Sequence, residues 1–157
     1  MNKIEPVTLS NALKIDRPQK GDQVGVGLYR LLRLVALEDI LGSGASAITY
    51  FSGKKLGQDL KLKTLDDFLA LCEELNIGTI TTPEMTDTHM HIDIHECITC
   101  SGLEPVGRPL CHFEGGLIAG AIETITGKSV TAKEVTCIGG LGDETCGYDL
   151  ILKDRKN

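Results

Sequence analysis

The sequence predicts an α+β fold in which an antiparallel four-stranded sheet packs against helices. In the first half of the chain, apolar residues recur at the helical spacings of three and four positions. From residue 77 onward, most segments alternate apolar and polar residues as half-buried strands do, and one strong helix separates them. Because 157 residues suffice for a single core, we expect one domain over residues 23–153, preceded by an N-terminal arm over residues 1–22.

A long helix is predicted to open the domain. Between residues 24 and 41 the apolar positions cover much of a helix surface, and Gly42 and Gly44 follow as a stop signal. A single neighbouring element would bury only part of that surface. We therefore expect this helix to be buried on two sides, one of which is a homodimer contact.

Two further helices are predicted next. Residues 45–60 favour a helix that is interrupted near Gly53 and Gly57. Thr64 is a preferred N-cap residue and acidic residues follow it, which predicts a helix that ends near Leu75.

The alternating segments predict four strands. A second strong helix is predicted to start at Arg108 and Pro109 and to end at Gly127, which leaves two strands on each side of it. The predicted strands span residues 77–82, 88–97, 129–137 and 145–152.

Composition excludes several classes of function. The net charge is −6 and no basic stripe is visible, so nucleic acid is not expected as the main partner. No stretch reaches the roughly 18–20 apolar residues of a membrane span. The first residues lack the apolar core of a signal peptide, so we expect a cytoplasmic protein whose six cysteines are thiols or thiolates.

Four residues of the last third have the spacing of one metal site: Cys111, Glu134, Cys137 and Cys146. A two-residue turn at Leu141 and Gly142 would pair Cys137 directly with Cys146 across a hairpin. Thiolates that close can share a tetrahedral zinc ion. Glu134 has an odd offset from Cys137 and would face the other side of the sheet unless the strand ends in a bulge.

This ligand set favours a structural zinc ion. Four protein ligands complete a tetrahedral shell, whereas catalytic zinc keeps one position open for water. A helix start at Arg108 and Pro109 would place Cys111 in the first turn, where the helix dipole stabilises a thiolate. The alternative is a set of buried structural cysteines beside a surface glutamate.

The sequence leaves the role of two other groups of potential metal ligands undecided. His89, His91 and His95 share one face of a predicted strand and form either a second metal site or an ordinary solvated face. Cys97 and Cys100 have C-x2-C spacing and are a redox pair, reserve ligands for the metal site, or packed thiols.

Four segments then follow in a characteristic order: C-I-T-C-S-G from Cys97, C-H-F-E-G-G-L-I-A-G from Cys111, E-V-T-C from Glu134 and G-D-E-T-C-G-Y from Gly142. This order resembles the 4-vinyl-reductase domain family, and the resemblance covers roughly residues 24–152. That family is similar in fold to the haem nitric-oxide-binding domain and to Golgi transport-particle subunits. It also includes the sensor domains of phenol- and xylene-responsive bacterial activators.

The resemblance implies a zinc site and a fold built to bind a ligand. In those sensors a Cys at a helix start, a Glu and a Cys of one strand, and a Cys across the hairpin hold zinc. The matching residues are Cys111, Glu134, Cys137 and Cys146. One departure is His112, which stands where the sensors usually have an aromatic residue.

We therefore expect a zinc-containing, non-catalytic sensor or carrier for a small apolar or aromatic molecule, which signals to a separate output protein or through dimer contacts. One wall of the expected pocket is the second strong helix, at Phe113, Gly116, Leu117 and Gly120. Tight helix packing explains the two glycines equally well. The alternatives are an accessory or catalytic reductase acting on a vinyl or tetrapyrrole-type substrate, and a structural adaptor subunit.

Overall fold

The N-terminal part of the fold is a short turn followed by one long helix. The computed structural model describes residues 6–155. Helix α1 (Leu9–Ala12) is a single turn within the predicted arm, whose residues 1–5 lie outside the described residues. Helix α2 covers residues 26–41 and contains a widened π-helical segment, Leu31–Ala36, between two α-helical segments.

Two further helices precede the sheet. Helix α3 (Ala45–Asp59) is continuous, so the predicted interruption near Gly53 and Gly57 is wrong. Helix α4 (Leu65–Glu74) starts as predicted, because the Thr64 hydroxyl accepts the Asp67 backbone N–H and the Asp67 carboxylate accepts the Thr64 backbone N–H. Among the described residues, no helix combines the length and the apolar character needed to cross a bilayer.

The predicted antiparallel four-stranded sheet is confirmed. Its strands are β1 (Thr79–Met85), β2 (His89–His95), β3 (Ser129–Glu134) and β4 (Cys146–Lys153). They lie side by side in the order β1, β2, β4, β3, and every neighbouring pair is antiparallel. Helix α5 (His112–Thr126) connects β2 to β3, and a single helical turn, α6 (Ile138–Leu141), connects β3 to β4.

The core lies between one face of the sheet and helix α5. Met90, Ile92 and Ile94 of β2 point into this core, and they pair with Leu150, Tyr148 and Cys146 of β4 respectively. The other side of α5 packs along α3, so that α5 is enclosed and its residues 114–123 are all buried. The opposite face of the sheet carries the polar residues of β2 and is only partly buried.

Glycines allow α3 and α5 to cross in backbone contact. A Cβ added at Gly116 would overlap the Tyr50 carbonyl, and one added at Gly120 would overlap the Lys54 carbonyl. Gly53 and Gly57 are the matching positions on α3, where an added Cβ would overlap carbonyl groups of α5. The two glycines of α3 that predicted an interruption therefore serve helix contact instead.

The connection between β3 and β4 differs from the predicted hairpin. The last regular pair is Glu134 with Tyr148, and Cys137 is the N-cap of α6 rather than a strand residue. The predicted two-residue turn is therefore wrong, but Thr136 and Gly147 still exchange backbone hydrogen bonds, which keeps Cys137 next to Cys146 as the predicted register requires. The physical reason for the different turn is packing: the Gly140 carbonyl accepts the backbone N–H groups of Val106 and Gly107, which holds α6 against a distant loop.

Candidate metal centre

Cys111 lies at the centre of a buried cluster of sulfur atoms. It is the N-cap of α5 and not a residue of its first turn, because the helix begins at His112 rather than at Arg108 and Pro109. Its side chain is fully buried, and its carbonyl accepts a 2.9 Å hydrogen bond from the Tyr148 hydroxyl of β4. Cys111 is thus fixed between the start of α5 and the sheet.

The structure brings the four predicted ligands together. One ligand atom each of Cys111, Glu134, Cys137 and Cys146 lies within 4.8 Å of the other three. The Cys111 Sγ is 4.0 Å from the Cys137 Sγ and 3.8 Å from the Cys146 Sγ. Zn–S bonds of about 2.3 Å place the sulfurs of a tetrahedral site about 3.8 Å apart, so this donor set fits a zinc ion.

The chain path explains how Glu134 and Cys137 reach the same point. The regular ladder ends at Glu134, and the chain then turns into α6. Beyond this ladder the backbone N–H groups of Val135 and Thr136 both donate to the Gly147 carbonyl, so two residues oppose one as in a β-bulge. The predicted bulge therefore corrects the odd offset between Glu134 and Cys137. The Glu134 carboxylate also accepts the backbone N–H of Cys111 at 3.0 Å.

Cys97 and Cys100, whose role the sequence left open, belong to the same cluster. They follow β2 in a tight turn in which the Cys97 carbonyl accepts the Cys100 backbone N–H. The Cys111 Sγ lies 3.6 Å from the Cys97 Sγ and 3.3 Å from the Cys100 Sγ. Cys100 is also 3.3 Å from Cys146, so five thiols and one carboxylate meet at one place.

The cluster carries more acidic groups than a buried site can ionise unaided. Burial, and then the hydrogen bond with Cys137, raise the pKa of Glu134 to about 10. The hydrogen bond with Cys100 is the largest of several influences that raise the pKa of the Cys111 thiol. A divalent cation compensates the charge of thiolates in such surroundings, and solvent cannot.

A second buried network beside the cluster was not predicted. The Glu114 carboxylate accepts hydrogen bonds from the Thr99 hydroxyl and, at 3.1 Å, from the Tyr29 hydroxyl. Burial is the main cause that raises the pKa of both Glu114 and Tyr29. Its sequence signal was weak, since Glu114 is an ordinary acidic residue for the first turn of a helix.

The histidine strand does not form a second cluster of ligand atoms. The His91 Nδ1 is 2.7 Å from Asp149 Oδ1, and its Nε2 is 3.4 Å from Asp93 Oδ1. His89 lies 3.8 Å from the same Asp149 oxygen. Within residues 6–155 the groups with suitable metal geometry contain none of these side chains.

The four predicted pocket residues lie on the helix that crosses α3. The space in front of Gly116 and Gly120 is filled by the α3 backbone, so a pocket bounded by Phe113, Gly116, Leu117 and Gly120 would require the two helices to separate. A cleft of about 1210 Å³ lies instead between the N-terminal arm, α2 and the end of α4. Its apolar lining includes Ile15, Leu28, Leu32, Leu71, Leu75 and Ile98.

Comparison with known proteins identifies the family. The family model of the vinyl-4-reductase domain matches residues 90–151, a range that contains all five clustered cysteines and Glu134. The uncharacterized protein MJ1642 of Methanocaldococcus jannaschii is 35% identical over 136 residues, which cover 87% of this chain and 83% of that protein.

Solved structures share the fold at lower identity. A vinyl-4-reductase family protein of Methanocaldococcus jannaschii aligns with a TM-score of 0.66 and 21% identity over 86% of this chain and 85% of its own. The phenol-responsive sensory domain of the transcription activator PoxR, solved with phenol, gives 0.64 and 16% over 82% and 75%. A trafficking protein particle complex subunit 3 of Naegleria fowleri, covalently bound to palmitic acid, gives 0.60 and 16% over 84% and 97%. The predicted fold is thereby confirmed, and the chain belongs to the vinyl-4-reductase domain family.

Proposed function

We propose that this chain is a zinc-containing, non-catalytic module that binds a small apolar molecule. The zinc part is carried by one observation: the ligand atoms of Cys111, Glu134, Cys137 and Cys146 all lie within 4.8 Å of one another in a buried site. Four protein donors fill a tetrahedral shell, which gives the ion a structural role. It would tie the start of α5 to the connection between β3 and β4.

Zinc content tests the ligand assignment. Purified protein is expected to carry at least one tightly bound zinc ion per chain, and Cys137→Ser is expected to lose that ion. Cys72→Ser is the matched control, because Cys72 is equally buried but lies outside the cluster. Elemental analysis of folded protein measures both. Full zinc retention in Cys137→Ser and in Cys146→Ser would contradict the assignment.

Removal of the ion tests its structural role. Without zinc, buried thiols and a carboxylate lose their shared counter-charge, so the free energy of unfolding is expected to fall by several kcal/mol, on the order of that lost with other structural metals. Thermal unfolding with and without a strong chelator measures the change. An unchanged midpoint in protein shown to be free of metal would contradict a structural role.

Two observations support the proposed binding of a small apolar molecule: the cleft and the ligands of two solved structures with the same fold. The cleft between the arm, α2 and α4 is lined by aliphatic side chains such as Leu28, Leu32 and Leu71, and charged residues such as Asp16 and Glu74 also border it. Its volume is of the order found for sites that bind small molecules. Phenol and palmitic acid in two structures of the same fold support an apolar ligand for this chain as well.

Phenol and palmitic acid are therefore the first probes for binding. A probe that binds only the folded state raises the unfolding temperature as its concentration exceeds the dissociation constant. Leu71→Gln is expected to weaken this stabilisation, because Leu71 lines the cleft. Met85→Gln is the control, since Met85 is an exposed apolar residue outside the cleft. No stabilisation by either probe, or equal stabilisation of both variants, would count against this site.

A structural adaptor is the second candidate function, and the outward face of α2 favours it. Leu31 and Val35 are about 60% exposed on that helix and lie outside the cleft, and exposed apolar surface of this kind marks protein interfaces. An adaptor would bind its partner without responding to any apolar probe.

We further propose a cytoplasmic location, which the six unpaired cysteines support.

A further inference from the structure

Two groups of metal-ligating side chains overlap within the buried cluster. The first group is Cys97, Cys100, Cys111 and Cys146, and the second is Cys111, Glu134, Cys137 and Cys146. In each group the ligand atoms lie within 4.8 Å of one another. Cys111 and Cys146 belong to both groups, which makes them the natural bridge between two sites.

We propose that the cluster binds two divalent metal ions that share the thiolates of Cys111 and Cys146. Cys97 and Cys100 complete the shell of one ion, and Glu134 and Cys137 complete that of the other. Two tetrahedra that share an edge need six ligands, two of which bridge, and the two groups supply six. This inference rests on the proposed function, because it keeps the structural zinc site and adds a second ion beside it.

The sulfur positions agree with a shared edge. The two bridging sulfurs are 3.8 Å apart, which equals the edge of about 3.8 Å expected for a tetrahedron with Zn–S bonds of about 2.3 Å. On the first side, the Cys97 Sγ and the Cys100 Sγ lie 3.6 and 3.3 Å from the Cys111 Sγ. On the second side, the Cys137 Sγ lies 4.0 Å from the Cys111 Sγ and 3.9 Å from the Cys100 Sγ. Outer ligands on opposite sides of a shared edge are about 5 Å apart, so the Cys100 and Cys137 sulfurs must move apart when both ions bind.

The net charge of the cluster is the same with two ions as with one. A single divalent ion with three thiolates and a carboxylate has a net charge of −2, and it leaves Cys97 and Cys100 as fully buried thiols in contact with charged sulfur. With both groups occupied, five thiolates and one carboxylate face two divalent ions, and the net charge is again −2. The second ion therefore compensates the charge of two more thiolates, those of Cys97 and Cys100, and the net charge of the buried site does not change.

The loops that carry the two outer ligand pairs are packed as one unit. A Cβ added at Gly139 would overlap the Cys100 carbonyl, and one added at Gly140 would overlap the Arg108 carbonyl. Glycine at 139 therefore lets α6 approach the turn of Cys97 and Cys100, and glycine at 140 lets it approach the segment before Cys111. The three segments that carry the cysteines are thus packed against one another.

Counting zinc tests the inference. Native mass spectrometry of protein reconstituted anaerobically with zinc alone is expected to show two ions per chain. The double variant C97S/C100S is expected to retain one ion, because the second group is intact in it. Cys72→Ser should keep two ions. Circular dichroism confirms that each counted protein is folded.

Each result decides a different question. One ion in the wild-type protein overturns the inference but leaves the proposed structural zinc standing, whereas no ion overturns both. Two ions in the wild type that persist in C97S/C100S overturn the assignment of Cys97 and Cys100 as ligands. Because wild-type stoichiometry alone can overturn the inference, it stays testable even when the double variant does not fold.

Cobalt(II) reports whether the two ions share ligands. Bridging thiolates couple the unpaired spins of neighbouring cobalt ions, so the magnetic resonance signal per cobalt is expected to fall as the second equivalent binds. Two isolated sites would give a signal proportional to cobalt through both equivalents. That proportional result, at a measured stoichiometry of two, would overturn the bridge through Cys111 and Cys146.

Discussion

Helices α5 and α2 are both rich in apolar residues, but only α5 is enclosed. Residues 114–123 of α5 are buried between the sheet and α3. In α2, Leu31 and Val35 are about 60% exposed, whereas Arg33 is only 5% exposed. Helix α2 thus turns Arg33 toward the domain and Leu31 and Val35 away from it, while Leu28 and Leu32 line the cleft.

The difference shows that apolar content alone does not determine burial. Helix α5 is enclosed because glycines let a second helix touch its backbone, which leaves no gap along the crossing. Helix α2 is held by polar contacts instead: Arg30 donates to the carbonyls of Ile98 and Ser101 at 2.8 Å, and Arg33 donates to the Leu110 carbonyl. The polar face of α2 therefore hydrogen-bonds to the segment that carries Cys97, Cys100 and Cys111, and its exposed apolar face is available to a partner.

The same glycine substitution should have opposite effects in the two helices. Gly116→Ala is expected to lower the free energy of unfolding by about 1–3 kcal/mol or more, because the new Cβ overlaps the Tyr50 carbonyl. Gly27→Ala is expected to raise it by about 0.4–1 kcal/mol, because nothing lies within 4 Å of the added Cβ and alanine restricts the unfolded chain. Denaturant unfolding of both variants measures the difference.

A bulkier substitution at Gly116 tests the predicted ligand pocket at α5. Gly116→Leu should disturb the whole fold if α3 fills the space, as the present contact indicates. A Gly116→Leu protein of normal stability that no longer binds phenol or palmitic acid would show instead that the helices separate to form a pocket. Equal stability changes in Gly116→Ala and Gly27→Ala would remove the contrast between the two helices.

The sequence predicts the sheet well because alternation is a local signal. The residues of β2 alternate between faces without exception, so its position and its two faces follow from the order of residues alone. The interruption predicted in α3 failed for a non-local reason. Whether Gly53 breaks a helix or serves a crossing depends on α5, which lies far along the chain.

The sequence predicted four of the side chains that meet in the cluster, but not all six of them. Spacing and family resemblance together identified Cys111, Glu134, Cys137 and Cys146, and the structure brings their ligand atoms together. The contribution of Cys97 and Cys100 depends on how α6 packs against their turn, and that contact cannot be read from local sequence. The two-residue turn predicted at Leu141 and Gly142 also failed there, because residues 138–141 form a helical turn whose Gly139 packs against Cys100.

Helix α2 is expected to form a homodimer contact through its exposed apolar face. Leu31→Asp places a charge in the middle of that face and should raise the dimer dissociation constant at least tenfold, which corresponds to about 1.4 kcal/mol. Met85→Asp is the control, since Met85 is exposed to a similar degree at the end of β1. Sedimentation at micromolar concentration measures both. A wild-type protein that is monomeric in this assay would rule out a stable dimer.

The two faces of the sheet also differ, since one is buried and apolar and the other is polar and partly exposed. The contribution of the polar face to stability is smaller and depends on pH. Burial opposes protonation of His91, but the hydrogen bond with Asp149 and the charge of Asp93 outweigh burial and raise the pKa of His91 above its usual 6.5. A folded-state pKa above the unfolded value means that the contribution to stability is complete below about pH 6.5 and is lost as pH rises through the folded-state value.

His91→Gln should therefore cost about 0.2–1 kcal/mol in mildly acidic solution and progressively less at higher pH, because the pair is only partly buried. Denaturant unfolding across this range measures the loss. In an Asp149→Asn background the pH dependence of the His91→Gln effect should shrink, since the main partner of the imidazolium is gone. A cost that grows with rising pH would show that His91 contributes as a neutral, buried ring, and the open face of the sheet would then resemble the covered one.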